Sequence, residues 1–265
     1  MHLTPELLYL DLIKKALSYS LWEDPGMPIE TLLTKVLSRF FKLFNYQVVK
    51  CTAHYDRQRE EGRIWPRYAE TMIGLKRLDN IQFCIENIIK NNIEGDLIET
   101  GVWRGGATIF MRAVLAAYDI TDRRVFVADS FEGLPKPNEN KYPADKSDLH
   151  HTKKFLAVSI DDVKANFEKY GLLDDRVVFL KGWFKDTLPD APIDKLSVIR
   201  IDGDMYESTT DAINMLYPKL SERGFCIIDD YKLPPCKQAI DNFRSQHNIT
   251  SPIIKIDWTG IYWQK

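Results

Sequence analysis

The sequence is poor in the features that take a chain to a membrane, to an oxidising compartment or to nucleic acid. No run of about 18 apolar residues occurs, so no transmembrane helix or membrane insertion is expected. Cysteines number only four, Cys51, Cys84, Cys226 and Cys236, and their spacing suits neither a zinc knuckle nor a redox pair. Cys226 stands in an apolar run, as a buried reduced thiol would, and a reducing, cytoplasmic setting is expected. The first residues, Met1-His2-Leu3-Thr4-Pro5-Glu6, place no basic stretch ahead of an apolar one, so no secretory leader is expected. Net charge is nearly absent: 36 Lys and Arg against 38 Asp and Glu leave −2. That balance gives no electrostatic case for nucleic acid or an anionic membrane surface.

What remains is ordinary globular material. The chain has 265 residues, 45% hydrophobic and 28% charged, enough for one large domain with an added terminal layer. Residues 1–68 read as an interrupted helical segment. Leu7, Leu10, Ile13 and Leu17 recur at helical spacing, and Leu33, Val36, Leu37, Phe40, Phe41 and Phe44 give a second apolar-faced helix. Such helices suit a subunit interface or a cover over the substrate, so a homo-oligomer is expected. Arg57, Arg59, Arg63 and Arg67 stand among Glu60, Glu61 and Glu70, as a salt-bridged face or as an anion clamp. A third helix is expected over 68–91.

From residue 69 onward short apolar strands alternate with helices. Asp96–Thr100, Arg124–Asp129, Val177–Leu180, Leu196–Ile201 and Gly224–Ile228 read as strands. Helices are expected at 106–117, 160–170, 209–220 and 238–246, with closing strands at Ile253–Ile256 and Ile261–Trp263. The alternation predicts an α/β fold, a doubly wound and mostly parallel sheet with helices on both faces. Continuously apolar strands are what a sheet covered on both faces requires. Glu132–Ser159 lacks periodicity and carries Pro135, Pro137 and Pro143. A loop that long is functional or disordered, and a lid is the functional reading. Within it His150 and His151 serve either as a general base or as solvated loop residues.

In such sheets ligands bind outside the carboxyl ends of the strands. Glu99-Thr100-Gly101-Val102-Trp103-Arg104-Gly105-Gly106-Ala107-Thr108 follows the first strand. Gly101 permits a tight turn and close approach of a ligand, and amides leading the next helix can hold an anion. The glycine spacing is not that of a dinucleotide fingerprint, and a plain strand-to-helix turn is the bland reading. Asp129, followed by Ser130, ends the second strand, where an acid accepts hydrogen bonds from ribose hydroxyls or simply caps a surface turn. Lys181-Gly182-Trp183-Phe184 offers aromatics to an adenine face or to the core. Ile201-Asp202-Gly203-Asp204 and Ile228-Asp229-Asp230 bring carboxylates to one sheet edge. They are solvated turn acids, or they repel one another until a cation arrives. Hard oxygen donors suit Mg²⁺ better than zinc.

Taken in order, five stretches resemble the macrocin and mycinamicin O-methyltransferases. They are Glu99 to Gly106, Ala128-Asp129-Ser130-Phe131-Glu132-Gly133-Leu134-Pro135, Lys181-Gly182-Trp183-Phe184, Ile201-Asp202-Gly203-Asp204-Met205-Tyr206-Glu207-Ser208 and Ile228-Asp229-Asp230-Tyr231. Trp65-Pro66-Arg67-Tyr68-Ala69-Glu70-Thr71-Met72-Ile73-Gly74 is similar to the segment before that family's catalytic domain, and the resemblance runs from about Arg57 onward. It implies a class I S-adenosylmethionine (SAM) fold with a seven-stranded sheet and Mg²⁺-assisted methyl transfer to a sugar hydroxyl. It implies cofactor contacts at Thr71, Met72, Glu99, Thr100, Gly101, Thr108, Asp129, Ser130, Gly182, Trp183 and Asp202. Metal binding is implied for Asp202, Asp229 and Asp230. The implied acceptor is a small molecule or glycan with vicinal hydroxyls.

Methyl transfer from a sulfonium is an in-line displacement, so a hydroxyl must be held near the methyl carbon and lose its proton. Asp202 is expected beside the methyl as both ligand and base, with Asp204 as the competing base. Three other readings share parts of this pattern. A Mg²⁺-dependent catechol-type O-methyltransferase differs only in its acceptor. A nicotinamide oxidoreductase lacks the needed glycine spacing here. A non-catalytic SAM-binding partner has no use for the acidic set.

Overall fold

A computed structural model describes residues 4–23, 27–28, 32–46, 49–50 and 56–265. Cys51 lies outside the described residues. The elements begin with α1 (Pro5–Leu17), β1 (Met27–Pro28), α2 (Leu32–Lys42), β2 (Val49–Lys50), α3 (Asp56–Glu60) and α4 (Leu75–Lys90). There follow β3 (Asp96–Thr100), α5 (Gly106–Ala117), β4 (Val125–Asp129), α6 (Ile160–Lys169), β5 (Val177–Lys181) and α7 (Phe184–Thr187). The chain closes with β6 (Leu196–Ile201), α8 (Tyr206–Leu216), β7 (Leu220–Ile228), α9 (Pro234–Gln246), β8 (Ile254–Lys255) and β9 (Ile261–Gln264).

Seven strands form one sheet in the order β5-β4-β3-β6-β7-β9-β8. The first five are parallel, and β9 and β8 close the sheet antiparallel. This is the doubly wound, mostly parallel α/β sheet that the alternation predicts. Successive residues of each strand serve opposite faces. Leu97, Val125, Val127 and Val198 enter the core with α1, α4, α5 and α6. Ile98, Phe126, Ala128, Ile199 and Ile201 enter the core with α8 and α9. Each such side chain contributes roughly 1.5–3 kcal/mol by leaving water.

Helix α5 is buried on every side from Gly106 to Leu115, because α1 and α4 lie against it. Leu10, Ile13 and Leu17 of α1 join that core, and the Thr4 hydroxyl caps the helix by accepting the Leu7 N–H. Phe40, Leu43 and Phe44, at the end of α2 and just after it, remain exposed.

Three helix starts differ from the periodic pattern, and α9 is one of them, opening at Pro234 rather than Gln238. The third expected helix starts at Leu75 rather than near residue 68. The residues before it run irregularly across the start of α5, where the Glu70 carbonyl accepts the Gly106 N–H at 3.0 Å. Helix α8 starts at Tyr206 rather than Thr209, for a reason that lies far away in sequence.

Candidate active site

Strand order reverses between β3 and β6, so the chains leaving these neighbours diverge and open a crevice. A cleft lies there, about 870 Å³ with its open mouth included. Gly101, Asp129, Ser130, Gly182, Trp183, Asp202 and Asp204 meet in its lining. Leu134, Pro135 and Leu156 of the irregular segment join them, as do Lys185, Glu207 and Asp211, which the sequence reading did not single out. Thr71, Met72, Glu99, Thr100 and Thr108 stand outside that lining. Thr100 and Thr108 are wholly buried beneath it.

Gly101 has φ +82°, and a Cβ there would collide with the backbone carbonyl of Asp202. Only glycine lets β3 and β6 come this close at their ends. The two oxygens of Asp129 accept the N–H groups of Phe131 at 2.7 Å and Val102 at 2.8 Å. They fix the glycine turn to β4, and the Ser130 hydroxyl donates to Oδ1 as well, at 3.3 Å. Burial raises this carboxyl, and the backbone donors pull it back. The Gly106 amide, expected to be free for an anion, is taken by Glu70. Arg104 fastens the same crossing, donating to the carbonyls of Arg67 at 2.9 Å and Ala69 at 2.7 Å.

The acidic set is arranged differently from the expectation. Asp202, Asp204 and Asp230 each present an oxygen within 4.8 Å of the others. The Asp204 N–H donates to Asp230 Oδ2 at 3.3 Å, with Asp204 in the left-handed region at φ +53°. Burial, then the Asp202 charge, pushes the Asp204 carboxyl up to about 7. Asp202 is raised by burial and by Asp229, and Asp230 by burial and by Asp202 and Asp204. Three oxygen donors that destabilise one another's charge are a donor set suited to a hard divalent cation.

Asp229 does not join them. One of its oxygens accepts from Arg77 and the other from Arg200. At 4% exposure its charge needs such partners. Arg77 reaches on to Asp257 at 2.9 Å, while Arg200 also contacts Glu99 and, at 3.1 Å, Asp202. Glu99 is thus the buried partner of an arginine rather than a wall of the cleft. Burial pushes its carboxyl up, and Arg200 in direct contact pulls it back.

The segment 132–159 is folded over the cleft in three single 3₁₀ turns, at Pro143–Asp145, His150–Thr152 and Lys154–Leu156. Trp103 Nε1 donates to the Phe155 carbonyl at 2.9 Å. His150 Nδ1 lies 2.7 Å from Asp148, and neither histidine belongs to the cleft lining. In the basic cluster Arg57 and Arg63 pair with Glu61, and Arg59 donates to the carbonyls of Tyr19 and Trp22. Among the described residues no helix is long and apolar enough to cross a membrane.

The profile of the macrocin O-methyltransferases (TylF) matches residues 6–265, so the likeness reaches well ahead of Arg57. The chain is 49% identical over 260 residues to demethyldecarbamoylnovobiocin O-methyltransferase of Streptomyces niveus, covering 97% of this chain and 93% of that protein. It is 49% identical over 263 residues to 8-demethyl-8-(2,3-dimethoxy-alpha-L-rhamnosyl)-tetracenomycin-C 4'-O-methyltransferase of Streptomyces olivaceus, covering 97% and 92%. The solved structure of the O-methyltransferase NovP matches with a TM-score of 0.86 at 49% identity, over 98% of this chain and 99% of that one. The cleft at the switch point and these matches agree: the chain belongs to the macrocin O-methyltransferase family and is a SAM-dependent O-methyltransferase.

Proposed function

We propose that the enzyme methylates a hydroxyl of a sugar carried by a small molecule, with Mg²⁺ at the acidic turn. The convergence of Asp202, Asp204 and Asp230 beside the cofactor cleft carries this reading. The relative named for methyl transfer to a rhamnosyl-bearing compound supports the sugar acceptor. Asp202 and Asp230, common to the expected ligands and the observed cluster, would hold the ion. When bound, it supplies Lewis acidity that orients vicinal hydroxyls and makes them more acidic.

The chain's own residues have separate tasks. Gly101 leaves room for the cofactor against the switch point, Asp129 and Ser130 meet its ribose, and Trp183 covers its base. Leu134, Pro135 and Leu156 keep water from the sulfonium. Asp204 takes the hydroxyl proton. Among the described residues it has no guanidinium partner, unlike Asp202. Asp202 already accepts from Arg200 at 3.1 Å, which leaves Asp204 the less engaged of the two. This reverses the sequence-based preference for Asp202. The three described cysteines are free thiols, in keeping with a cytoplasmic enzyme, and exposed Phe40, Leu43 and Phe44 suit self-association.

The test is a set of paired acceptors, each a glycoside with its aglycone, plus a simple catechol. Each is incubated with SAM and Mg²⁺, and the new methyl is located by fragmentation mass spectrometry. A methyl on the sugar ring is expected. A methyl on the catechol oxygen, with none on any sugar, would transfer the assignment to the catechol-type reading.

A further inference from the structure

Helix α8 begins two residues after Asp204, and its first turn needs acceptors for N–H groups that no helical carbonyl reaches. Its own N-cap residue, Met205, offers no side-chain bond. The acceptors come from the folded segment over the cleft. Asp145 accepts the Tyr206 N–H at 2.6 Å with Oδ1 and the Glu207 N–H at 3.0 Å with Oδ2. Asp145 is 1% exposed, so this is a built contact rather than a surface encounter. The Tyr142 and Tyr206 rings, 5.9 Å apart, accompany it. At the other end of the segment, Trp103 of the glycine turn holds the Phe155 carbonyl, and Leu156 lines the cleft. One strap is therefore fastened both to the cofactor's side of the cleft and to the helix that carries the acidic turn.

We propose that Asp145 is a positioning residue that makes seating of the strap over the cofactor and setting of the Asp202–Asp204 turn one event. With the strap seated, α8 is capped and its first turn is held. With the strap lifted, Tyr206 and Glu207 lose their acceptor and the turn before them loosens. This deepens the role given above to the acidic turn and rests on it.

Amide exchange read by mass spectrometry tests the link without needing an acceptor. In the wild type, S-adenosylhomocysteine is expected to slow exchange in residues 143–156 and at Tyr206 and Glu207 together. In Asp145→Ala the first turn of α8 should exchange about tenfold faster, and the cofactor product should slow the strap alone. Asp145→Asn keeps one acceptor oxygen and should fall between the two. In turnover, Asp145→Ala should lower kcat about tenfold with KM for SAM changed less than about twofold. A merely structural anchor would raise KM or abolish folding instead of uncoupling the two segments. Protection of Tyr206 and Glu207 in Asp145→Ala equal to that of the wild type would overturn the proposal. So would a wild type in which the cofactor product leaves those amides unchanged. Failure of the sugar assignment would leave the exchange result intact, so the two remain separable.

Discussion

Replacing Arg200 by Met, a similar volume without charge, removes the partner of three carboxylates at once. Asp229 keeps Arg77, and Asp202 is partly solvated. Glu99 keeps no cation and only the Thr108 hydroxyl among the described residues: it is 1% exposed, and its Oε2 already lacks a hydrogen bond. Breaking a buried pair from one side costs about 3–5 kcal/mol. Urea unfolding of wild type and variant side by side at pH 7 should show a deficit of about 3–5 kcal/mol. Pairing the change with Glu99→Gln should recover most of that loss. A deficit below about 1 kcal/mol would show that Arg200 and Glu99 are not held as a buried ion pair.

Gly101→Ala meets both a left-handed φ and the Asp202 carbonyl, so it should cost about 1–3 kcal/mol in stability and weaken S-adenosylhomocysteine binding at least tenfold by calorimetry. Binding as tight as in the wild type would mean that the two strand ends can part freely. Chelation should stop turnover while leaving S-adenosylhomocysteine bound, and added Mg²⁺ should restore it; undiminished turnover in excess chelator would remove the metal from the reaction.

The sheet was readable because each strand of the parallel run is a short apolar stretch ending in a glycine or an acid. Helix α5 was readable end to end, since Gly105 and Gly106 open it and apolar residues fill it. What the sequence concealed is held by contacts between distant residues. Asp145 lies 61 residues from Tyr206, so nothing local marks the true start of α8. Arg77 lies 152 residues from Asp229, which therefore read as one more acid at a strand end. Asp204 was visible as an acid in the turn. That it sits with Asp202 and Asp230, in Asp229's stead, depends on a backbone twist at φ +53° that spacing does not specify. Helix α9 opens at Pro234 rather than at Gln238, where the periodic pattern places it, and Pro234 and Pro235 are the local signal that the pattern passes over, since proline is suited to a first helical turn.

The most direct measurement compares Asp204→Asn with the wild type in two ways, by turnover on an accepted glycoside and by S-adenosylhomocysteine binding. If the acidic turn carries the proton transfer, kcat falls by about 100-fold or more and the binding constant stays within about twofold. Full turnover in Asp204→Asn would contradict the role assigned to the turn.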